Sequence, residues 1–81
     1  MEQESIIQCI HFNKDLLSFD ECLDWICDNG YKVKRCTEND HVFMFHQWSP
    51  ALCKRKGYTV YRTELLNPAI CLIKGFKLIN I

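Results

Sequence analysis

The stretch from Ser18 to Tyr31 constrains this chain more than any other, because it spells a helix with both ends written in. Ser18 can cap the first turn, and Glu21, three residues on, can reach back to the cap's own N–H, so two otherwise orphaned donors are satisfied. Gly30 follows the last turn, where a left-handed residue without a Cβ is favoured, and Tyr31 supplies an apolar side chain to fold back there. Phe19, Cys22, Leu23 and Ile26 recur at i, i+3, i+4 and i+7, whereas Asp20, Glu21, Asp24 and Asp28 take the other side. One face is core and the other water, so the rest of the chain has to supply a second surface for the helix to cover.

That surface reads as strands. Residues 6 to 12 place Ile6, Ile10 and Phe12 on one side and Ile7, Cys9 and His11 on the other, which suits an interior strand. Asn13-Lys14-Asp15 turns the chain, and Leu17 is placed to pack on Cys22 as a hydrophobic staple. After the helix, Tyr31 to Cys36 alternates Tyr31 and Val33 with Lys32 and Lys34. Thr37 to Asp40 then reverses the chain into His41–Trp48, a second interior strand, and the whole reads as a hairpin. Ser49-Pro50 suits a short helical turn, with Ser as cap and Pro at the first position, closed by Gly57. Tyr58 to Leu65 is a strand by its β-branched and aromatic content, Asn67-Pro68 a turn, and Ala69 to Phe76 the last strand. The order is β-α-β-β-(short α)-β-β, and the compact solution is a two-layer α+β domain with one main helix on a mostly antiparallel sheet. The apolar Leu78-Ile79-Asn80-Ile81 either packs on its own domain or is covered by a partner.

A chain of 81 residues is one domain, 1–81, that buries only about 60–65% of its unfolded surface. Ten acidic residues balance ten basic ones, so no global charge drives it toward nucleic acid or an anionic membrane. Its apolar runs are short, and Met1-Glu2-Gln3-Glu4 lacks the basic flank and apolar core of a signal peptide; the expectation is a soluble, unsecreted protein with no membrane partner. Six cysteines admit a disulfide framework, but Cys9, Cys22 and Cys71 sit inside predicted elements and no export signal is present, which favours free, buried thiols. No Cys-x-x-Cys pair occurs, Cys22 and Cys27 are five apart, and His41 and His46 fall on opposite faces of a strand, so neither a metal nor any other cofactor is expected.

No serine, cysteine or carboxylate stands in a catalytic motif beside His11, His41 or His46, and the expectation is a protein without enzymatic activity or small-molecule substrate. Two surfaces remain as candidates. Lys32, Lys34 and Arg35, with Lys54, Arg55 and Lys56, could merge into a basic patch for nucleic acid, with Arg62, Tyr58 and Tyr61 nearby for stacking. Trp25, Trp48, Tyr58, Ile79 and Ile81 are the candidates for a protein interface, because large apolar side chains concentrate binding energy when exposed. Trp25 lies off the Phe19/Leu23/Ile26 stripe, toward Cys22, and is core by default.

Taken together, Phe12…Ser18-Phe19-x-x-Cys22-x-x-Trp25-Ile26-x-x-Asn29-Gly30-Tyr31-Lys32, Phe43-x-Phe45-His46-Gln47-x-x-Pro50, Tyr61-Arg62-Thr63 and Ile70-Cys71-Leu72-Ile73-x-Gly75 resemble a small α+β domain found in proteins of large DNA viruses and tailed phages. Cys22 and His46 depart from that pattern, which has Ala and Arg there. The resemblance implies a viral origin and the strand order given above, and it brings no catalytic mechanism. The reading it supports is a non-enzymatic viral structural or interaction protein, such as a small minor-capsid or capsid-associated component of a virion. Such a protein acts through a protein partner or self-association, in the virion or the host cytoplasm. The alternatives are a nucleic-acid-binding module using the basic patch and an antagonist of a host factor.

Overall fold

A computed structural model describes residues 2–79. Its elements are β1 (Glu2–Asn13), α1 (Phe19–Asp28), β2 (Cys36–Glu38), β3 (Val42–His46), α2 (Pro50–Arg55), β4 (Val60–Asn67) and β5 (Ile70–Ile79). The five strands form one antiparallel sheet in the order β2-β3-β1-β5-β4, so the fold is a small α+β domain with two helices. β1 lies in the middle, and its Glu2–Ile7 portion runs beyond β3, paired with β5 alone.

Both helices are made by the same local chemistry. Ser18 accepts a bond from the Glu21 backbone N–H at 3.2 Å while the Glu21 carboxylate accepts from the Ser18 N–H at 3.0 Å, a complete capping box. Ser49 caps α2 by accepting from the Leu52 N–H, with Pro50 at the first turn. At the other ends Gly30 and Gly57 take φ of +75° and +90°. Gly30 N–H donates to the Cys27 carbonyl and Tyr31 N–H to that of Ile26; Gly57 and Tyr58 repeat this with Lys54 and Cys53. Each helix thus closes in a Schellman motif with a tyrosine as the folded-back residue.

The core follows the strand registers. Ile10 lies between Phe45 and Leu72, and Phe12 between Phe43 and Ile70. With Cys22 and Ile26 of α1, the residues Ile10, Phe12, Phe45, Ile70 and Leu72 form one buried cluster. The Phe12 ring meets Trp25 at 5.6 Å and Phe45 at 5.5 Å, both edge to face, and Leu17 packs at the margin. Phe19, expected on the buried stripe, touches Phe43 and Phe45 at the first turn of α1 yet stays 42% exposed, outside the buried cluster.

Two expectations fail for non-local reasons. The first strand after α1 is not Tyr31–Cys36 but Cys36–Glu38, and Val33 is exposed. The side chain of Gln47 explains the shift: its amide oxygen accepts from the Lys32 N–H at 2.7 Å and its NH2 donates to the Lys32 carbonyl at 2.8 Å, so a side chain stands where a strand partner would be. Asn39 then makes the turn, its side-chain oxygen accepting from the N–H groups of His41 and Val42. In β1, a bulge between Ile7 and Cys9 reverses the alternation, so Ile7 packs against the α1 cluster and Ile6 approaches Gly75 on the other face. The carbonyl of Gln8, the residue at the bulge, accepts from the N–H groups of Gln47 and Trp48, and the Gln8 side chain donates to the Trp48 carbonyl, which anchors the entry to α2.

Candidate functional site

The nearest approach to a chemical constellation lies on the sheet face away from α1. Register puts Cys9 of β1 opposite His46 of β3, and Thr37 of β2 opposite Met44, diagonal to His46. Cys9 Sγ is 3.6 Å from His46 Nδ1, and His46 Nε2 is 2.8 Å from Thr37 Oγ1. A cysteine nucleophile works as a thiolate reached by substrate, but Cys9 is 2% exposed and burial pushes its thiol up to about 11. A protonated thiol can donate to Nδ1 in the tautomer whose Nε2–H faces Thr37 Oγ1. This relay joins three strands; it does not activate a nucleophile.

At one end of the same face, His11, His41, Asn13 and Asp15 border an open cleft closed on its other side by Leu65 and Cys71. Burial, and then the neighbouring His46, hold His11 below its ordinary pKa, so this cleft favours a neutral imidazole. No group of three or more His, Cys, Asp or Glu side chains is arranged to hold a metal ion among the described residues. All six cysteines are free thiols, with Cys9, Cys22 and Cys53 buried, Cys71 half-buried, and Cys27 and Cys36 exposed. No helix among the described residues is long and apolar enough to cross a membrane.

The basic candidates are exposed and fall in two places. Lys32, Lys34 and Arg35 lie in the irregular segment between α1 and β2, held beside β3 by Gln47 and by the His46 N–H bond to the Arg35 carbonyl. Lys54 and Arg55 form the last turn of α2 and Lys56 its cap, where cations complement the helix dipole without any ligand. Lys77 adds a fourth cation there, donating to the Lys56 carbonyl at 3.3 Å and bridging to Glu4 at 3.2 Å.

The large aromatic candidates are drawn inward. Trp25 is half-buried, stacked on Tyr31 at 5.9 Å and edge-on to Phe12. Trp48 and Tyr58 pack edge to face at 5.7 Å; Tyr58 is 8% exposed, donates its hydroxyl to Glu4 and lies under the Lys77 amine. Ile79 ends β5 opposite Glu2, and Ile81 lies outside the described residues.

The exposed apolar surface is concentrated elsewhere. β4 is a terminal strand of the sheet, bonded to β5 on one side only, and all eight of its residues are exposed. It carries Val60 (49%), Tyr61 (44%), Leu65 (67%) and Leu66 (47%), four of the seven large apolar residues exposed among those described. Tyr61 leans back against Cys53 of α2, and burial of its hydroxyl, then that thiol, push its pKa up. The sheet's other terminal strand, β2, is three residues long and exposes no large apolar side chain. Sequence reasoning identified the strand around Tyr61 but not its place at the edge; its one local signal is Arg62 and Glu64 on a common face, a pairing of charges that suits an edge better than a sheet interior.

A strand of this length with unpaired backbone groups and apolar flanks can add a further strand from another chain. No protein-family model, curated protein or solved structure matches this chain.

Proposed function

We propose that this protein is a non-enzymatic interaction module that works by adding a strand to the edge of its sheet at β4. The observation that carries this reading is an eight-residue terminal strand, every residue of it exposed, bearing four large apolar side chains. Natural edge strands are ordinarily short, or protected by proline, lysine or a covering loop. Val60–Asn67 contains neither proline nor lysine. In this reading the domain is two-layered, with α1 as the second layer, and the α1 face closes the core while the edge remains for contact. The resemblance to domains of large DNA viruses and tailed phages supports a structural setting, a virion or capsid-associated component, as the place where such contacts are made.

The test is a photo-crosslinking amino acid placed singly at Tyr61, Leu65 or, as a reference, Asp24 on the outer face of α1, in the cells where the protein acts. Strand addition at β4 gives protein adducts at positions 61 and 65 and none at 24. Adducts at 24 alone, or at none of the three, overturn the reading.

A further inference from the structure

We infer that β4 pairs with β4 of a second copy of this chain, antiparallel and centred on Thr63, so that the two sheets become one across a two-fold axis. This rests on the interaction reading above and names its partner.

The strand reads the same from either end. Val60-Tyr61-Arg62-Thr63-Glu64-Leu65-Leu66 is two apolar residues, a charge, a threonine, the opposite charge and two apolar residues. About an axis through Thr63, Arg62 lies opposite the partner's Glu64, Tyr61 opposite the partner's Leu65, and Val60 opposite the partner's Leu66. Directly opposed side chains have Cβ atoms about 4.5–5.5 Å apart, near enough for each pair to interact. Because a two-fold interface uses the same patch twice, every pair forms twice. The register is selective. A shift by two residues in one direction puts Arg62 opposite its own copy, and in the other direction Glu64 opposite its own, both of which place like charges together.

Within one chain the charges on this strand are only half answered. Arg62 is directly opposite Lys74 of β5, a like charge, and Lys74 is paired diagonally with Glu64. None of the ion pairs among the described residues includes Arg62, whose guanidinium instead lies 5.7 Å from the centre of the Phe76 ring. Arg62 thus has a cation on its inner side, and the acid that would balance it belongs on its open side. The partner's Glu64 supplies that acid, and the four charges at the axis alternate in sign. A register shift between Leu65 and Asn67 places an irregularity at Leu66, so the regular ladder of β4 runs from Val60 to Leu65 and the Val60–Leu66 pair lies at its end.

The charge arrangement gives a test by exchange. Arg62→Glu leaves two acids on each strand and Glu64→Arg leaves two bases, so each variant alone opposes like charges twice; mixed in equal amounts, the two are complementary again. Sedimentation equilibrium at low and physiological salt should show a wild-type dimer. Each single variant should raise the dissociation constant about tenfold or more, as two reversed cross-strand pairs at an exposed edge allow. The equimolar mixture and the double variant Arg62→Glu/Glu64→Arg should return it to within about threefold of wild type. Circular dichroism checks that each variant is folded. A second readout needs no charge change: Thr63→Cys should form an intermolecular disulfide above the wild-type background, since opposed Cα atoms about 4.5–5.5 Å apart fall within disulfide reach, while Leu65→Cys should not. A wild-type chain that stays monomeric to its solubility limit overturns self-pairing but leaves the crosslinking test of β4 to stand separately. A dimer indifferent to the single charge reversals, or one not restored by mixing, overturns the proposed register.

Discussion

Replacing Phe12 by leucine should cost this domain a large share of its stability, although the change keeps an apolar side chain of nearly equal hydrophobicity. Phe12 is 0% exposed and its ring makes two edge-to-face contacts, with Trp25 at 74° and with Phe45 at 90°. Such pairs are each worth about 0.5–1.5 kcal/mol beyond area burial, so losing both costs about 1–3 kcal/mol before any cavity term. A domain of 81 residues has about 4–12 kcal/mol in total, and each kcal/mol lost lowers its Tm by about 4–8 °C. Thermal unfolding followed by circular dichroism should therefore show a drop of at least about 4 °C. Phe19→Leu is the internal comparison: its ring also meets two aromatics, Phe43 and Phe45, but it is 42% exposed, and its loss should cost less than half as much. Phe45→Leu combined with Phe12→Leu should fall short of additivity by about 0.5–1.5 kcal/mol, because the shared contact can be lost only once. Strict additivity, or a Phe12→Leu midpoint within about 2 °C of wild type, would refute the claim that these ring contacts hold the core together.

Further outcomes follow from the caps, the histidine cleft and the thiols. Ser18→Ala removes the oxygen that accepts from the Glu21 N–H and should cost about 1 kcal/mol by urea titration, whereas Ser18→Gly should cost only a few tenths. His11 is held below the ordinary histidine value of 6.5, so the folded state binds its proton less readily than the unfolded chain does. Its contribution to stability is complete above that value and is lost as the pH falls through 6.5 toward the folded pKa; His11→Gln should flatten the loss measured by thermal melts between about pH 8 and pH 5, about one and a half units either side of the free histidine value. Iodoacetamide on the native protein should label exposed Cys27 first and leave Cys9 and Cys22, both pushed up to about 11, unlabelled until the chain is unfolded; early labelling of Cys9 would contradict the relay through His46.

Both helices were readable because their signals are local. Ser18, Glu21 and Gly30 lie within one helix length of each other, as do Ser49, Pro50 and Gly57, and each acts through bonds to backbone within that distance. The strand that moved did so for a reason that no window around it contains. Tyr31 to Cys36 alternates like a strand, yet Gln47, fifteen residues away along the chain, occupies the backbone of Lys32. The bulge at Gln8 is similarly remote in origin: it meets Gln47 and Trp48, and by reversing the alternation it exchanges the faces of Ile6 and Ile7. The Cys9–His46 contact likewise needs the register of β1 against β3, which sequence spacing does not define.

The position of β4 belongs to the same class of information. Its composition, rich in tyrosine, threonine, valine and leucine, resembles that of a buried strand, and only the pairing of distant segments decides which strand is left at the margin. Residue type pointed instead to Trp25, Trp48 and Tyr58, the side chains that most often dominate interfaces. The fold uses those rings internally: Trp25 against Phe12 and Tyr31, Trp48 and Tyr58 against each other. In a domain this small the core competes for the large aromatics, so most of the exposed large apolar residues among those described are leucine, valine and one tyrosine on the edge strand. Their side chains alone discriminate little between partners. Selectivity must then come from the ladder register and from Arg62 and Glu64, and a pair of opposite charges flanking a central threonine is specific for its own reverse copy in a way that apolar flanks are not.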